Sequence, residues 1–231
     1  EQPAVFVLGI PVLGIIGSIV PVVAGSRHIT HAGLMAAIGV AGLLAIGGWS
    51  QPAFSDQRDE LLFVAFGLLA VMPVLASLAL NSLPLAKAGV PPGPPPAQLL
   101  GALGAGLLLL LGAAAGALRV IDPLELIGTN ADAGVGHLVA YAAVVGLAAG
   151  MWFWAPKIGG HQLSNVLGLG VMLDFIGAGL LMGAAHLLIG FDFAGGLNDA
   201  MLWVVFFGAI LATLGALGVS AAARRNDGEA G

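Results

Sequence analysis

Long apolar stretches alternate with short polar connections along the whole chain. The apolar stretches fall at residues 4–24, 34–49, 61–83, 98–118, 135–154, 163–189 and 200–222. All but the second reach the roughly 20 residues that a helix needs to cross hydrocarbon. Because backbone polar groups in lipid must be satisfied within their own segment, the stretches predict helices. The pattern predicts an all-α, polytopic transmembrane bundle of about seven spans over residues 1–223, followed by a tail at 224–231.

Composition narrows the class of protein further. Hydrophobic residues make up 59% of the 231-residue chain and charged residues only 8%, against about 25% charged residues in soluble domains. The 37 glycines suit helices that approach one another closely in lipid. The absence of cysteine excludes disulfides, thiolate metal centres and covalent c-type haem within this sequence. No basic cluster is present, so we expect membrane lipids and not nucleic acid as partners.

The charged residues divide unevenly between alternate connections. One set of connections carries Arg27, Lys87, Lys157, Arg224 and Arg225. The other set carries only Arg58 and Arg119 among eight acidic residues. The positive-inside rule places the first set in the cytoplasm. We therefore expect a protein integral to a bacterial cytoplasmic membrane, with its C-terminus on the cytoplasmic side.

A few polar side chains fall inside the spans. Asp174 is an intramembrane carboxylate, which makes it a candidate for a proton or ion pathway. The alternatives are that Asp174 pairs with another polar residue or reaches the nearer membrane surface. Ser77 and Asn81 share one helix face, which predicts hydrogen bonds between helices. The tryptophans near span ends are typical of aromatic belts at the membrane surface; they are Trp49, Trp152, Trp154 and Trp203.

The turn after the fifth stretch carries a specific pattern. Residues 154–168 read W-A-P-K-I-G-G-H-Q-L-S-N-V-L-G. They resemble the W-F-P-K-x-x-G-x-x-L-x-x-x-L-G of subunit I of the haem-copper terminal oxidases. As in that family, an F-I-G at 175–177 follows, and then His186. Residues 2–21, Q-P-A-V-F-V-L-G-I-P-V-L-G-I-I-G-S-I-V-P, resemble the family's H-P-E-V-Y-x-L-x-L-P-x-x-G-I-I-S-x-I-V-P.

The resemblance implies the last seven of the twelve spans of subunit I. The chain begins at Glu1 without methionine, so we expect it to be part of a longer, subunit I-like protein. Haem and copper are the cofactors of that family, and oxygen reduction coupled to proton translocation is its activity.

The resemblance also shows where the chemistry residues of the family would stand. Its three copper-binding histidines fall on Gln2, Gln51 and Pro52. Its gating glutamate falls on Ala4, its tyrosine on Phe6 and the lysine of its proton channel on Ser77. We therefore expect neither copper nor catalytic residues in this chain.

Two histidines remain as candidates for contact with haem. Of the haem-binding histidine pair, only His137 is left near its expected place, and His186 matches a family histidine near haem. The alternative is that each is a hydrogen-bonded core or interface histidine, because one histidine alone makes no site.

Three functions stay open at this point. The chain is most simply a ligand-depleted structural or accessory member that associates with respiratory oxidase subunits. It is alternatively a divergent oxidase subunit whose cofactors are held by a missing N-terminal half. A proton or ion pathway protein, with Asp174 as its pathway residue, is the third.

Overall fold

The chain folds as an all-α bundle, as the hydropathy pattern predicts. The computed structural model describes residues 2–26, 31–50, 61–69, 71–89, 92–121, 124–191 and 198–228. The helices are α1 (Gln2–Ala24), α2 (His31–Ser50), α3 (Leu61–Leu69), α4 (Val71–Ala88), α5 (Ala97–Leu118), α6 (Asn130–Gly159), α7 (Asn165–Gly190) and α8 (Asn198–Gly228). Within these described ranges there is no strand. Helix α3 and most of α4 lie in the predicted third span, on either side of residue 70, and α4 continues past its predicted end at residue 83 to Ala88.

Six helices in the described part of the chain are long and apolar enough to cross a membrane, which makes this an integral membrane protein. They correspond to every predicted span except the second. Helix α2 is apolar as predicted, but its apolar stretch, His31–Ala45, is shorter than the other six.

Helices α5, α6 and α7 pack together at the centre through small residues. Residues 101–106 of α5 are buried except for Leu103, which confirms the small-residue packing face expected there. A methyl group added to Gly101 would lie 2.8 Å from Cβ of Ala149 on α6 and 2.6 Å from the sulfur of Met172 on α7. Only glycine therefore lets the three helices meet at this point.

The turn between α6 and α7 begins later than hydropathy predicts. We expected the fifth span to end at residue 154, whereas α6 continues through Pro156 to Gly159. Pro156 removes one hydrogen bond and its ring crowds the carbonyl of Trp152, yet the helix continues for three more residues. Gly160 then adopts a left-handed conformation with φ of 71° and ends the helix.

Side chains tie this turn to the start of α5. Asn165 Oδ1 accepts a 2.7 Å hydrogen bond from the backbone N–H of Ala97, and its Nδ2 donates to the carbonyl of Pro95 at 3.4 Å. The indole of Trp152 donates to the carbonyl of Ser164 at 3.1 Å. Trp152 is only 4% exposed, so its assignment to a surface aromatic belt was wrong. Its ring packs in the core beside the turn.

Helix α8 lies outside the α5–α6–α7 core and packs mainly against α7. A methyl group at Gly215 would lie 2.8 Å from the ring of Phe175, which marks the line of contact. The outward side chains of α8 are large and apolar, among them Trp203, Phe206 and Phe207. A large apolar surface of this kind suits contact with lipid or with another membrane helix. The helix runs to Gly228, so it continues past residue 223, where we expected the tail to begin.

Candidate functional site

The structure brings His137 and His186 together at one end of the α6–α7 hairpin. The two helices are consecutive and antiparallel, so the beginning of α6 lies beside the end of α7. Gly134 faces Gly183 and Leu187 there, and a methyl group on Gly134 would lie 2.9 Å from the Gly183 carbonyl oxygen. Leu187 packs on Gly134 and Leu138 packs on Gly183. The residues next to these leucines, His186 and His137, are therefore brought side by side.

The two imidazole rings are stacked. Their centroids are 4.8 Å apart and their planes differ by 14°. His137 Nδ1 lies 2.7 Å from the carbonyl oxygen of Ala133, and His186 Nδ1 lies 2.8 Å from that of Met182. A carbonyl oxygen only accepts hydrogen bonds, so each Nδ1 carries the proton and donates it. In the neutral form of a ring that donates through Nδ1, Nε2 is an acceptor.

The Nε2 atoms of the two histidines determine what this pair can do chemically. An unprotonated Nε2 can accept a proton or donate its lone pair to a metal ion. One haem iron held by both histidines would need the two Nε2 atoms to face each other across the porphyrin. Here the ring faces meet at a centroid distance of 4.8 Å, which leaves no room for a porphyrin between them. The stacked pair therefore does not fit axial ligation of one haem by both rings.

An ion pair lies at the same end of the bundle. Arg119, which follows the last residue of α5, pairs through Nε with Oδ1 of Asp132 in the first turn of α6. The other oxygen of Asp132 accepts a 3.0 Å hydrogen bond from the backbone N–H of Gly128. The Arg119 and Asp132 side chains are 10% and 24% exposed. The negative charge of the Asp132 carboxylate is also stabilised by the positive, N-terminal end of the α6 dipole.

Sequence reasoning missed both pairs, although one signal was available. A glycine three residues before each histidine places each ring on a close-packing face of its own helix, although it does not show that the two faces meet. Each histidine bonds to a backbone carbonyl, an arrangement that agrees with a hydrogen-bonded core or interface role.

Asp174 lies apart from these groups, in the third turn of α7. Its side chain is partly buried, between exposed Leu173 and buried Phe175. No hydrogen bond or ion pair joins its carboxylate to any residue that the structure describes. Of the alternatives for Asp174, pairing with another polar residue is therefore not seen among those residues.

The expectation for Ser77 and Asn81 was wrong. Both side chains are buried, at 0% and 2% exposure, where α4 meets its neighbours. Neither the Ser77 hydroxyl nor either atom of the Asn81 amide has a hydrogen-bond partner in the described part of the chain. The two side chains do share one helix face, but they make no bond between helices.

The structure describes only some of the other positions at which the family has its chemistry residues. Phe6, at the position of the family's tyrosine, is buried in α1 with 2% exposure. Gln51 and Pro52 lie outside the described residues, as do the side chains of Gln2 and Ala4. Among the side chains that are described, no three of His, Cys, Asp or Glu converge as a metal site would require. The sequence matches no family model.

Proposed function

We propose that this protein is a structural or accessory membrane subunit that descends from subunit I of the haem-copper oxidases and has lost the cofactor ligands. It would pack against the membrane subunits of a respiratory complex and hold no haem or copper of its own. The single observation that carries this proposal is that the stacked rings of His137 and His186, the two remaining candidate ligands, do not fit axial ligation of one haem by both.

The packing of the interior supports the same proposal. Helix α1 approaches α6 directly, since a methyl group at Gly146 would lie 3.4 Å from Cγ2 of Val12. A methyl group at Gly9 would lie 3.1 Å from Cδ1 of Leu109 on α5. Apolar side chains fill these contacts, as suits a bundle in which buried ionisable groups would be costly.

The test is whether the purified chain carries cofactors. We expect the full-length chain, purified in mild detergent, to show no stoichiometric Soret absorption and no bound copper by metal analysis. In native membranes it should co-purify with respiratory subunits under the same conditions. A stoichiometric Soret band that is lost in His137→Leu and kept in His161→Leu would overturn the accessory role and establish the divergent oxidase. His161 is the matched control because its side chain is exposed in the turn after α6.

The proposal also covers which end of the bundle faces the cytoplasm. At the end of the bundle that holds the α6–α7 turn, Lys87 and Lys157 are both exposed. At the opposite end, the positive charge of Arg119 is paired with Asp132. The positive-inside rule therefore favours the end with Lys87 and Lys157 as cytoplasmic.

The absence of cysteine makes this orientation testable with single introduced thiols. We expect an impermeant maleimide added to intact cells to label Leu124→Cys and not His161→Cys. Both side chains are exposed, and they lie at opposite ends of α6. Labelling of His161→Cys alone would show the reverse orientation.

A further inference from the structure

Asp174 places a carboxyl group deep inside the membrane-spanning part of α7. The helix has 26 residues and begins at Asn165. A rise of 1.5 Å per residue makes it about 39 Å long and places Asp174 about 14 Å from its first residue. The hydrocarbon of a bilayer is about 30 Å thick, so in a centred helix Asp174 lies about 9 Å inside the nearer edge. Long basic side chains reach the surface from such depths, whereas the short side chain of aspartate does not.

This carboxylate lies at the rim of the contact between α7 and α8. Three residues before Asp174, Val171 packs on Gly218 of α8. On the other side of Asp174, Leu173 is 58% exposed. Among the described residues, the enclosed polar atoms that lack a hydrogen-bond partner do not include the oxygens of Asp174. These oxygens are therefore accessible at the surface of the bundle.

The chain itself offers no cation to this carboxylate. The hydroxyl groups of α8, on Thr213 and Ser220, each donate to a carbonyl of their own helix. The seven Lys and Arg residues of the sequence all fall in connections or at the ends of helices. A second copy of this chain in the same orientation would therefore bring no Lys or Arg to the depth of Asp174. A basic partner for Asp174 has to come from another polypeptide.

The surface beside Asp174 also leaves room for another helix. Ionisable side chains in a membrane are costly and are almost always paired with one another or with polar groups. Gly170 lies one turn before Asp174, on the same side of α7. It is exposed, and nothing lies within 4 Å of an added methyl group. Because small residues let helices in lipid approach closely, a passing helix can come near enough to contact the carboxylate.

We propose that a transmembrane helix of another membrane protein packs along α7 at Gly170 and Leu173 and presents a Lys or Arg side chain to Asp174. Each charge then has its counter-charge in a medium where an unpaired charge is costly. A lipid headgroup does not take this place, because headgroups lie at the surface, about 9 Å above Asp174. The inference rests on the accessory role proposed above and adds the chemistry by which the partner is recognised.

Photo-cross-linking in native membranes tests the pairing. In the full-length chain, Leu173 is replaced by the photoreactive residue p-benzoylphenylalanine. Irradiation should give an adduct with one membrane protein, and mass spectrometry should locate the cross-link in an apolar helix with a Lys or Arg near its middle. Truncating one partner of a buried charge pair weakens binding by about tenfold or more. We therefore expect Asp174→Asn to lower the adduct yield by about tenfold, and Asp174→Glu to retain most of it.

Two controls separate the pairing from a general effect of charge or folding. Asp199→Asn is the matched variant, because that carboxylate is exposed in the first turn of α8, and it should leave the adduct unchanged. Circular dichroism checks that each variant is folded. Exchange of the two charges, with Asp174→Lys in this chain and aspartate in place of the partner's basic residue, should restore the adduct.

The possible outcomes distinguish this inference from the accessory role. Adducts with lipid alone, or a cross-linked helix without Lys or Arg, would show that the pairing is wrong. If respiratory subunits co-purify but Asp174→Asn leaves the adduct unchanged, the accessory role stands and only the pairing is wrong. A charge-dependent adduct with a membrane protein outside the respiratory chain would support the pairing and overturn the respiratory role.

Discussion

The close contact at Gly134 should be among the most sensitive points of the bundle. A methyl group there would lie 2.9 Å from both the carbonyl oxygen of Gly183 and the backbone nitrogen of Leu187. Neither atom can rotate away, because both belong to the backbone of α7. Ordinary contact requires at least 3.4 Å, so Gly134→Ala must separate α6 from α7 by about 0.5 Å at this point.

The net cost follows from two opposed effects. Overpacking of this kind costs about 1–3 kcal/mol, while replacing glycine by alanine inside a helix returns roughly 0.5–1 kcal/mol. We expect Gly134→Ala to lower the free energy of unfolding by about 1–2 kcal/mol. The matched control is Gly170→Ala, on α7, where nothing lies within 4 Å of an added methyl group. That change should raise stability by up to about 1 kcal/mol.

The assay is reversible unfolding in mixed micelles, titrated with a denaturing detergent. Tryptophan fluorescence reports the transition, because the buried ring of Trp152 becomes exposed when the core opens. The transition midpoint should fall for Gly134→Ala and rise or stay level for Gly170→Ala. If the two variants unfold at the same midpoint, the backbone contact between α6 and α7 is not as close as described, and the argument for the stacked histidines weakens with it.

Three further changes probe the same core by the same unfolding assay. Asn165→Ala removes the acceptor of the Ala97 N–H and should cost about 1 kcal/mol. Asp132→Asn should cost about 2 kcal/mol, a value discounted for partial exposure, and the double variant with Arg119→Gln should recover part of it. His186→Leu removes the ring stacked on its partner and should cost about 1 kcal/mol, but His186→Phe should cost less because it restores an aromatic face.

The spans themselves could be predicted because lipid imposes a length and an apolar character on them. The predicted stretch at 98–118 and the observed helix Ala97–Leu118 differ by one residue. The ends of α6 were harder, since we expected 135–154 and the helix is Asn130–Gly159. The first turn of α6 is capped by Thr129, whose side chain accepts a 3.2 Å hydrogen bond from Ala131 N. A hydropathy profile does not detect such a cap.

Pairings between distant residues could not be predicted in the same way. Polarity inside a span indicated that Asn81 would be buried, but it could not indicate whether a partner would face it. The contact of His137 with His186 depends on the register of α6 against α7, and that register is set by where glycines let the backbones touch. The hydropathy of a segment carries no information on the register between two packed helices.

The hydrogen bond from Ala97 to Asn165 has a consequence for the order of assembly. Asn165 begins α7, so the ribosome makes it after all of α5 and α6. During synthesis, the first N–H of α5 therefore has no side-chain acceptor until α6 and the start of α7 have been made. Until then that end of α5 depends on water or lipid headgroups, so it should stay near the membrane surface. Insertion of the α6–α7 hairpin would then be the step that supplies this N–H with its side-chain acceptor.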